Sequence, residues 1–182
     1  MDGDESETNI TGSSEIKKMV FASLFAAMTA IGAYMKIPIG PVPITFQVLF
    51  VFLAGSILGK KWGPLSMIVY ILLGVAGLPV FAGGASGIGV LFGPTGGYII
   101  GFVLATFVIG MLTEKVKSAG LVLNSFYMII GLIIIYTLGA TQLMIEAQLE
   151  PIEAIMSGVA PFVTGDLISI LIAAYITTKY EI

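Results

Sequence analysis

The sequence predicts an all-α membrane protein of six transmembrane helices, and three observations predict it. Of its 182 residues 57% are hydrophobic and only 10% charged, with a mean hydropathy of +1.04; soluble domains carry about 25% charged residues. The apolar stretches approach the roughly 20 helical residues that cross a hydrocarbon core, and the chain is long enough for six. The lysines, finally, segregate to one side of the arrangement those stretches imply.

The elements follow in order. Asp2, Asp4, Glu5 and Glu7 open a polar, Gly/Ser/Thr-rich head. Residues 1–15 are therefore expected to form an acidic disordered tail, with 16–182 as one transmembrane domain. The first span covers 19–35, directly after Lys17 and Lys18. A cleavable signal peptide competes here, because "ASLFAAMTA" offers small residues, but the stretch is long for an h-region and an acidic head precedes it. Residues 37–59 carry no charge, yet the prolines of "IPIGPVPIT" forbid a continuous helix. The second helix is thus expected from Thr45 to Gly59. Residues 62–113 contain no Asp, Glu, Lys or Arg, and the Gly-rich run "GLPVFAGGASGIGVLFGPTGG" divides them into helices near 63–78 and 95–113. A fifth helix fills 119–141 and a sixth runs from Pro161 to Thr178, with Pro161 suited to a first helical position.

The lysines test the count. With the N-terminus inside and six spans, Lys17, Lys18, Lys60, Lys61, Lys115, Lys117 and Lys179 lie on the cytoplasmic side, and Lys36 alone lies outside. That is what the positive-inside rule demands, and both termini are then cytoplasmic. The external connections are 37–44, 79–94 and 142–160, the internal ones short. Long loops on one face point to that face as the binding face.

Composition excludes much. There is no Cys, no His and no Arg, so disulfides, thiolate or imidazole metal sites and imidazole general bases are absent. No metal, cofactor or nucleic-acid partner is expected. "GSILGK", residues 55–60, is one residue short of a phosphate-binding loop and runs into Lys61, so it reads as a helix end with basic flanks. An intramembrane enzyme would need a Ser with its base, paired Asp or a metal site. The chain assembles none, and no catalytic residue is assigned.

Asp166 is the one charged residue inside an apolar span. A carboxylate at that depth costs about 2–3 kcal/mol even on insertion scales, so it should face protein or a wet cavity. Ser169 and Phe162 share its helix face. Either this stripe meets a ligand or Asp166 is structural. The Gly-rich run 83–97, with Gly84 and Gly87, is tolerated at membrane depth only if buried in protein or lining a cavity. Gln47, behind "PVPIT", either bonds a ligand or satisfies the backbone broken beside Pro43. Ala22, Ala26, Ala30 and Ala33 form a small-residue ridge, for a partner helix or for internal packing. Tyr34, Tyr98, Trp62 and Tyr180 read as interfacial belt residues.

"GPVPITFQVL", "GLPVFAGGASGIGVLFGPTGGYIIGF" and "PFVTGDLIS", in this order and spacing, closely resemble the BioY family, the biotin-specific S components of energy-coupling factor (ECF) transporters. The resemblance covers about residues 16–178. It implies the six-helix S-component fold, a multi-pass protein of the cell membrane, and an external vitamin pocket roofed by loops. It also implies two kinds of partner besides biotin and the lipid bilayer: the transmembrane coupling subunit EcfT and the ATPase subunits of the ECF module, which would do the ATP hydrolysis. On this resemblance Asp166 corresponds to the acidic residue of the family's "GD" motif, which meets the ligand, and Ala22, Ala26 and Ala30 to a docking ridge for the coupling subunit.

A binding site is then expected from Asp166, Ser169, Phe162, Gln47, Thr45, Phe81, Gly84, Gly87, Phe92 and Lys36. Biotin's ureido ring would bond Asp166 and loop amides, and its thiolane would pack on Phe81, Phe92 and Phe162. One departure stands out. The family usually has Lys three residues after the Asp, where this chain has Ser169; a hydroxyl cannot neutralise a carboxylate tail. Helix N-termini, loop amides or Lys36 would have to supply positive field. The alternatives are a relative of biotin such as dethiobiotin, facilitated transport by this subunit alone, or a non-binding structural subunit.

Overall fold

A computed structural model describes residues 3–37, 41–116 and 119–179, and in the first helix its side chains from Glu15 onward. In order, the elements are α1 (Gly3–Tyr34), a short antiparallel pair β1 (Lys36–Ile37) and β2 (Ile44–Thr45), α2 (Gln47–Val75), a 3-10 turn (Ile88–Phe92), α3 (Gly96–Thr113), α4 (Leu121–Glu146), α5 (Pro151–Gly158) and α6 (Val163–Lys179).

α2 is not one rod. Its backbone breaks at Gly59, at φ 75° and ψ −173°, a region that essentially only glycine occupies. Gln47 Nε2 and Tyr70 Oη are 2.6 Å apart, whereas a straight helix would separate residues so spaced by about 35 Å. The arms 47–58 and 60–75 therefore fold back antiparallel, and they are the second and third of the expected helices. Glu114, at the end of α3, closes the reversal: its Oε1 accepts from the Lys60 amide at 2.9 Å and its Oε2 pairs with Lys60 Nζ at 3.2 Å. An acceptor carboxylate at the start of the second arm satisfies an amide that the helix itself leaves open.

Among the described residues four helices are long and apolar enough to cross a membrane: α1 over Glu15–Tyr34, α2, α3 and α4. α5 and α6, bent by 53°, make a further span if taken together. With α2 folded double and α5 with α6 taken as one span, the described residues form six apolar helical segments, the number expected.

Three boundaries differ from the sequence-based expectation. The backbone of α1 is helical back to Gly3, through the head expected to be disordered over 1–15, because extending an existing helix costs far less than starting one. The connection expected at 142–160 is shorter, since α4 continues to Glu146 and α5 occupies Pro151–Gly158. α5 starts on a capping box, Glu150 with Glu153, and carries Pro151 in its first turn. Pro161 lies in the turn before α6, two residues ahead of its first helical position.

The connections gather at two ends. At one, Gly83 N donates to Ala33 O at 3.1 Å, Phe46 N to Gly32 O at 3.2 Å and Tyr34 Oη to Pro79 O. At the other, Ser56 and Thr177 hydroxyls lie 2.9 Å apart, Asn124 Nδ2 donates to Thr178 at 3.1 Å, and Lys61 pairs with Glu15. Between them the core is built from Val51, Phe52, Met67, Tyr70, Ile109, Met128, Ile135 and Ile170. Small residues let the backbones approach: a Cβ on Gly139 of α4 would stand 2.2 Å from the Tyr98 ring of α3.

Candidate ligand-binding site

At the loop end a cavity of about 550 Å³, counted to its open mouth, lies among the start of α2, α3, α4 and the start of α6. Its make-up is that of small-molecule sites in general, mostly apolar with few polar groups.

Each wall has a local cause. Val42, Pro43 and Thr45 belong to the chain entering α2, where the prolines keep the backbone out of a helix, and Gln47 opens α2 itself. Thr45 Oγ1 donates to Gln47 Oε1 at 3.1 Å, and Gln47 Nε2 donates to Tyr70 at 2.6 Å. An amide nitrogen carries two hydrogens, so Gln47 retains one N–H beyond this chain of bonds. From the residue before α3 comes Thr95, and from α3 itself Tyr98, Ile99 and Phe102. Tyr98 lies over Gly139 and donates to Gly158 O at 2.7 Å, which ties the end of α5 to α3. From α4 come Ile135 and Tyr136, and before and within α6, Phe162 and Asp166.

Asp166 stands in the first turn of α6, 6% exposed. Its amide donates to Phe162 O at 2.9 Å, so the phenylalanine and the acid sit one turn apart on the same wall. Tyr136 Oη donates to Asp166 Oδ2 at 2.6 Å. Among the described residues that is the one hydrogen bond made to this carboxylate by a side chain, and it is made to Oδ2, leaving Oδ1 without a side-chain donor.

Of the residues expected at a site, Asp166, Phe162, Gln47 and Thr45 are brought together here. The others are not. Ser169 is buried one turn further along α6, does not line the cavity, and donates its hydroxyl to Gly165 O at 3.1 Å. Phe81 is wholly buried, edge-on to Tyr70 at 5.5 Å between ring centres, and so supports the Tyr70–Gln47 bond from behind. Phe92 closes the 3-10 turn with 69% of its surface exposed and does not line the cavity. Gly84 and Gly87 take positive φ in the loop (81° and 91°), and Gly87 N donates to Gly74 O at 2.8 Å; they shape the roof without lining the cavity.

Lys36 is exposed and does not line the cavity, but it is tied to a residue that does. It is paired with Thr45 across the β1–β2 register, which puts their side chains on one face, and its Nζ lies where a Cβ of Gly83 would be, 2.0 Å away. The ridge on α1 is mostly turned inward. Ala22 and Ala26 are 3% and 1% exposed against the chain's own helices, while Ala30 is half-buried. Tyr98 was expected at a membrane interface but belongs to the cavity, and Trp62 is buried beneath Lys61. Tyr34 is exposed, and Tyr180 lies outside the described residues.

Tyr136, Tyr98 and Thr95 escaped the reading of the sequence. Tyr136 sits in "IIIYTLGA", where a lone tyrosine carries no signal apart from its helical spacing to Gly139, the next small residue on that face.

Comparison with known proteins gives consistent findings. The BioY family model matches residues 6–181. The chain is 46% identical over 166 residues to the "Biotin transporter BioY" of Thermotoga maritima, covering 91% of this chain and 96% of that one. It is 41% identical over 165 residues to the "Probable biotin transporter BioY" of Pyrococcus horikoshii, with the same coverage. Its fold matches the crystal structure of the S-component for biotin from an ECF-type ABC transporter with a TM-score of 0.86, 29% identity and 92% of each chain covered. By family model, sequence and fold alike, this chain belongs to the BioY family.

Proposed function

We propose that this chain is the biotin-binding S component of an ECF-type importer, which captures the vitamin in the cavity at its loop end. The observation that carries this reading is Asp166: a single carboxylate held in an apolar span, lining a cavity with one oxygen left for a ligand donor. Biotin's ureido ring presents N–H groups to Asp166 and a carbonyl to the spare Gln47 N–H. Phe162, Tyr98 and Phe102 give the apolar ring system its walls. The carboxylate tail points to the rim, where Lys36 supplies the positive charge that Ser169 does not. Burying a ligand carboxylate deeper would set it against Asp166.

The chain performs no chemistry on the vitamin. Its family is one of transporter subunits, and ATP hydrolysis falls to partner subunits of the ECF module. Docking on the coupling subunit uses the flank of α1 on which Leu24, Ala27 and Ile31 are exposed, beside half-buried Ala30. The protein lies in the cytoplasmic membrane with both termini inside. Lys17, Lys18, Lys60, Lys61, Lys115 and Lys179 stand toward the end opposite the cavity, and among the described lysines Lys36 alone stands at the cavity's end, against Gly83.

A thermal-unfolding panel of vitamins on the purified chain in detergent tests the reading. A ligand that binds the folded state adds RT ln(1 + [L]/Kd) of stability. Biotin is expected to raise Tm, and Asp166→Asn is expected to abolish most of that rise. A shift with dethiobiotin and none with biotin moves the substrate to that relative, and no shift with either leaves a structural subunit.

A further inference from the structure

Tyr136 stands between two hollows. One is the Asp166 cavity; the other is a lateral crevice between α4 and α5 of about 730 Å³, counted to its open side. The crevice has little to offer a polar group: the hydroxyls of Thr137 and Thr141 in its wall turn back to the Ile133 and Thr137 carbonyls. The ring of Tyr136 therefore meets apolar space on one side and the ligand cavity on the other, while its hydroxyl donates to Asp166 Oδ2 at 2.6 Å.

We propose that Tyr136 is a positioning residue for ligand binding: its hydroxyl fixes the plane of the Asp166 carboxylate so that Oδ1 meets the ligand's N–H, and its ring seals the cavity from the lateral crevice. This rests on Asp166 being the acceptor of the ligand, as argued above. The terminal torsion of an aspartate is broad and two-fold, so a carboxylate without a second partner samples orientations that a ligand must then freeze. A short bond from a hydroxyl to an ionised oxygen is among the stronger hydrogen bonds. Made before the ligand arrives, it removes that ordering from the cost of binding. Removing the hydroxyl also leaves a buried carboxylate short of a donor, whatever else binds.

Two substitutions separate the two roles. Tyr136→Phe keeps the wall and removes the hydroxyl; Tyr136→Ala removes both. In the full chain in detergent, biotin affinity is measured by calorimetry, biotin release by exchange of radiolabelled vitamin, and the Asp166 carboxylate by infrared difference spectroscopy, its band being the one that Asp166→Asn deletes. Tyr136→Phe is expected to lower affinity on the order of tenfold and to shift the Asp166 band in the ligand-free protein, with ligand-free Tm kept within a few degrees. Tyr136→Ala is expected to release biotin faster than Tyr136→Phe. Unchanged affinity and an unmoved band in Tyr136→Phe overturn the positioning role, and equal release rates for the two variants overturn the sealing role. A wild-type chain that fails to bind biotin overturns the functional reading itself, a result the variants cannot imitate.

Discussion

Gln47 and Tyr70, in the two arms of a helix folded back on itself, share a 2.6 Å hydrogen bond that holds a cavity side chain in place from the protein interior. Tyr70 is fully buried, and Phe81 packs edge-on against its ring. Through it, a buried polar group of the cavity wall is anchored to the fully buried core.

Tyr70→Phe should therefore act at a distance from the ligand. Losing one buried hydrogen bond costs about 1 kcal/mol of stability, read as a lower Tm in detergent. Biotin affinity should fall as well, because Gln47 is then held only by Thr45. Gln47→Leu removes the group itself and should weaken binding more than Tyr70→Phe does. The reverse order would show that Gln47 serves the fold and not the ligand.

Gly59 carries the reversal of α2. Gly59→Ala places a Cβ at φ 75°, and 2.3 Å from Glu114 Oε1, so the carboxylate that caps the second arm has to move. Strain of this kind costs about 1–3 kcal/mol. A substantial fall in Tm is expected with little change in biotin affinity for the folded fraction, since the reversal lies at the end opposite the cavity. Glu114→Gln, which keeps an acceptor, should be milder than Glu114→Ala.

Much of this architecture can be read from the sequence, for a physical reason. Charges are so expensive in hydrocarbon that their absence outlines the spans, and glycine is so special in conformation that Gly59 marks a break. Asp166 is legible for the same reason: a lone acid in an apolar helix demands an explanation. What could not be read depends on approach between helices far apart in the chain. Tyr136 and Tyr98 become cavity residues because α3 and α4 meet closely at Gly139, and no spacing along one helix reports that. Phe81 and Phe92, both in the Gly-rich run, looked alike as aromatic walls. The loop's turns bury one and leave the other outside.

The meeting of α3 and α4 can be tested directly. Gly139→Val forces the Tyr98 ring aside, and overpacking of this kind costs about 1–3 kcal/mol. Because Tyr98 lines the cavity and donates to Gly158 O, biotin affinity should fall together with stability. Tyr98→Phe, which keeps the ring and loses only the bond to α5, should retain most of the binding. Full loss in Tyr98→Phe would locate the effect in the α5 tether.

Ser169 and Lys36 make opposite predictions about the ligand's carboxylate. The Ser169 hydroxyl is committed to Gly165 O and lies outside the cavity, so Ser169→Ala should leave biotin affinity within about twofold, the ordinary scatter of a residue making no contact. Lys36 stands exposed opposite Thr45, which lines the cavity. Lys36→Met should weaken biotin binding, and more so at low salt, because an exposed charge acts over a screening length of about 10 Å at 0.1 M salt. Biotin amide, which has no carboxylate, should bind wild type and Lys36→Met alike. If the lysine variant weakens both ligands equally, the positive charge is serving the loop that it crosses at Gly83, and the tail of the vitamin is held by something else.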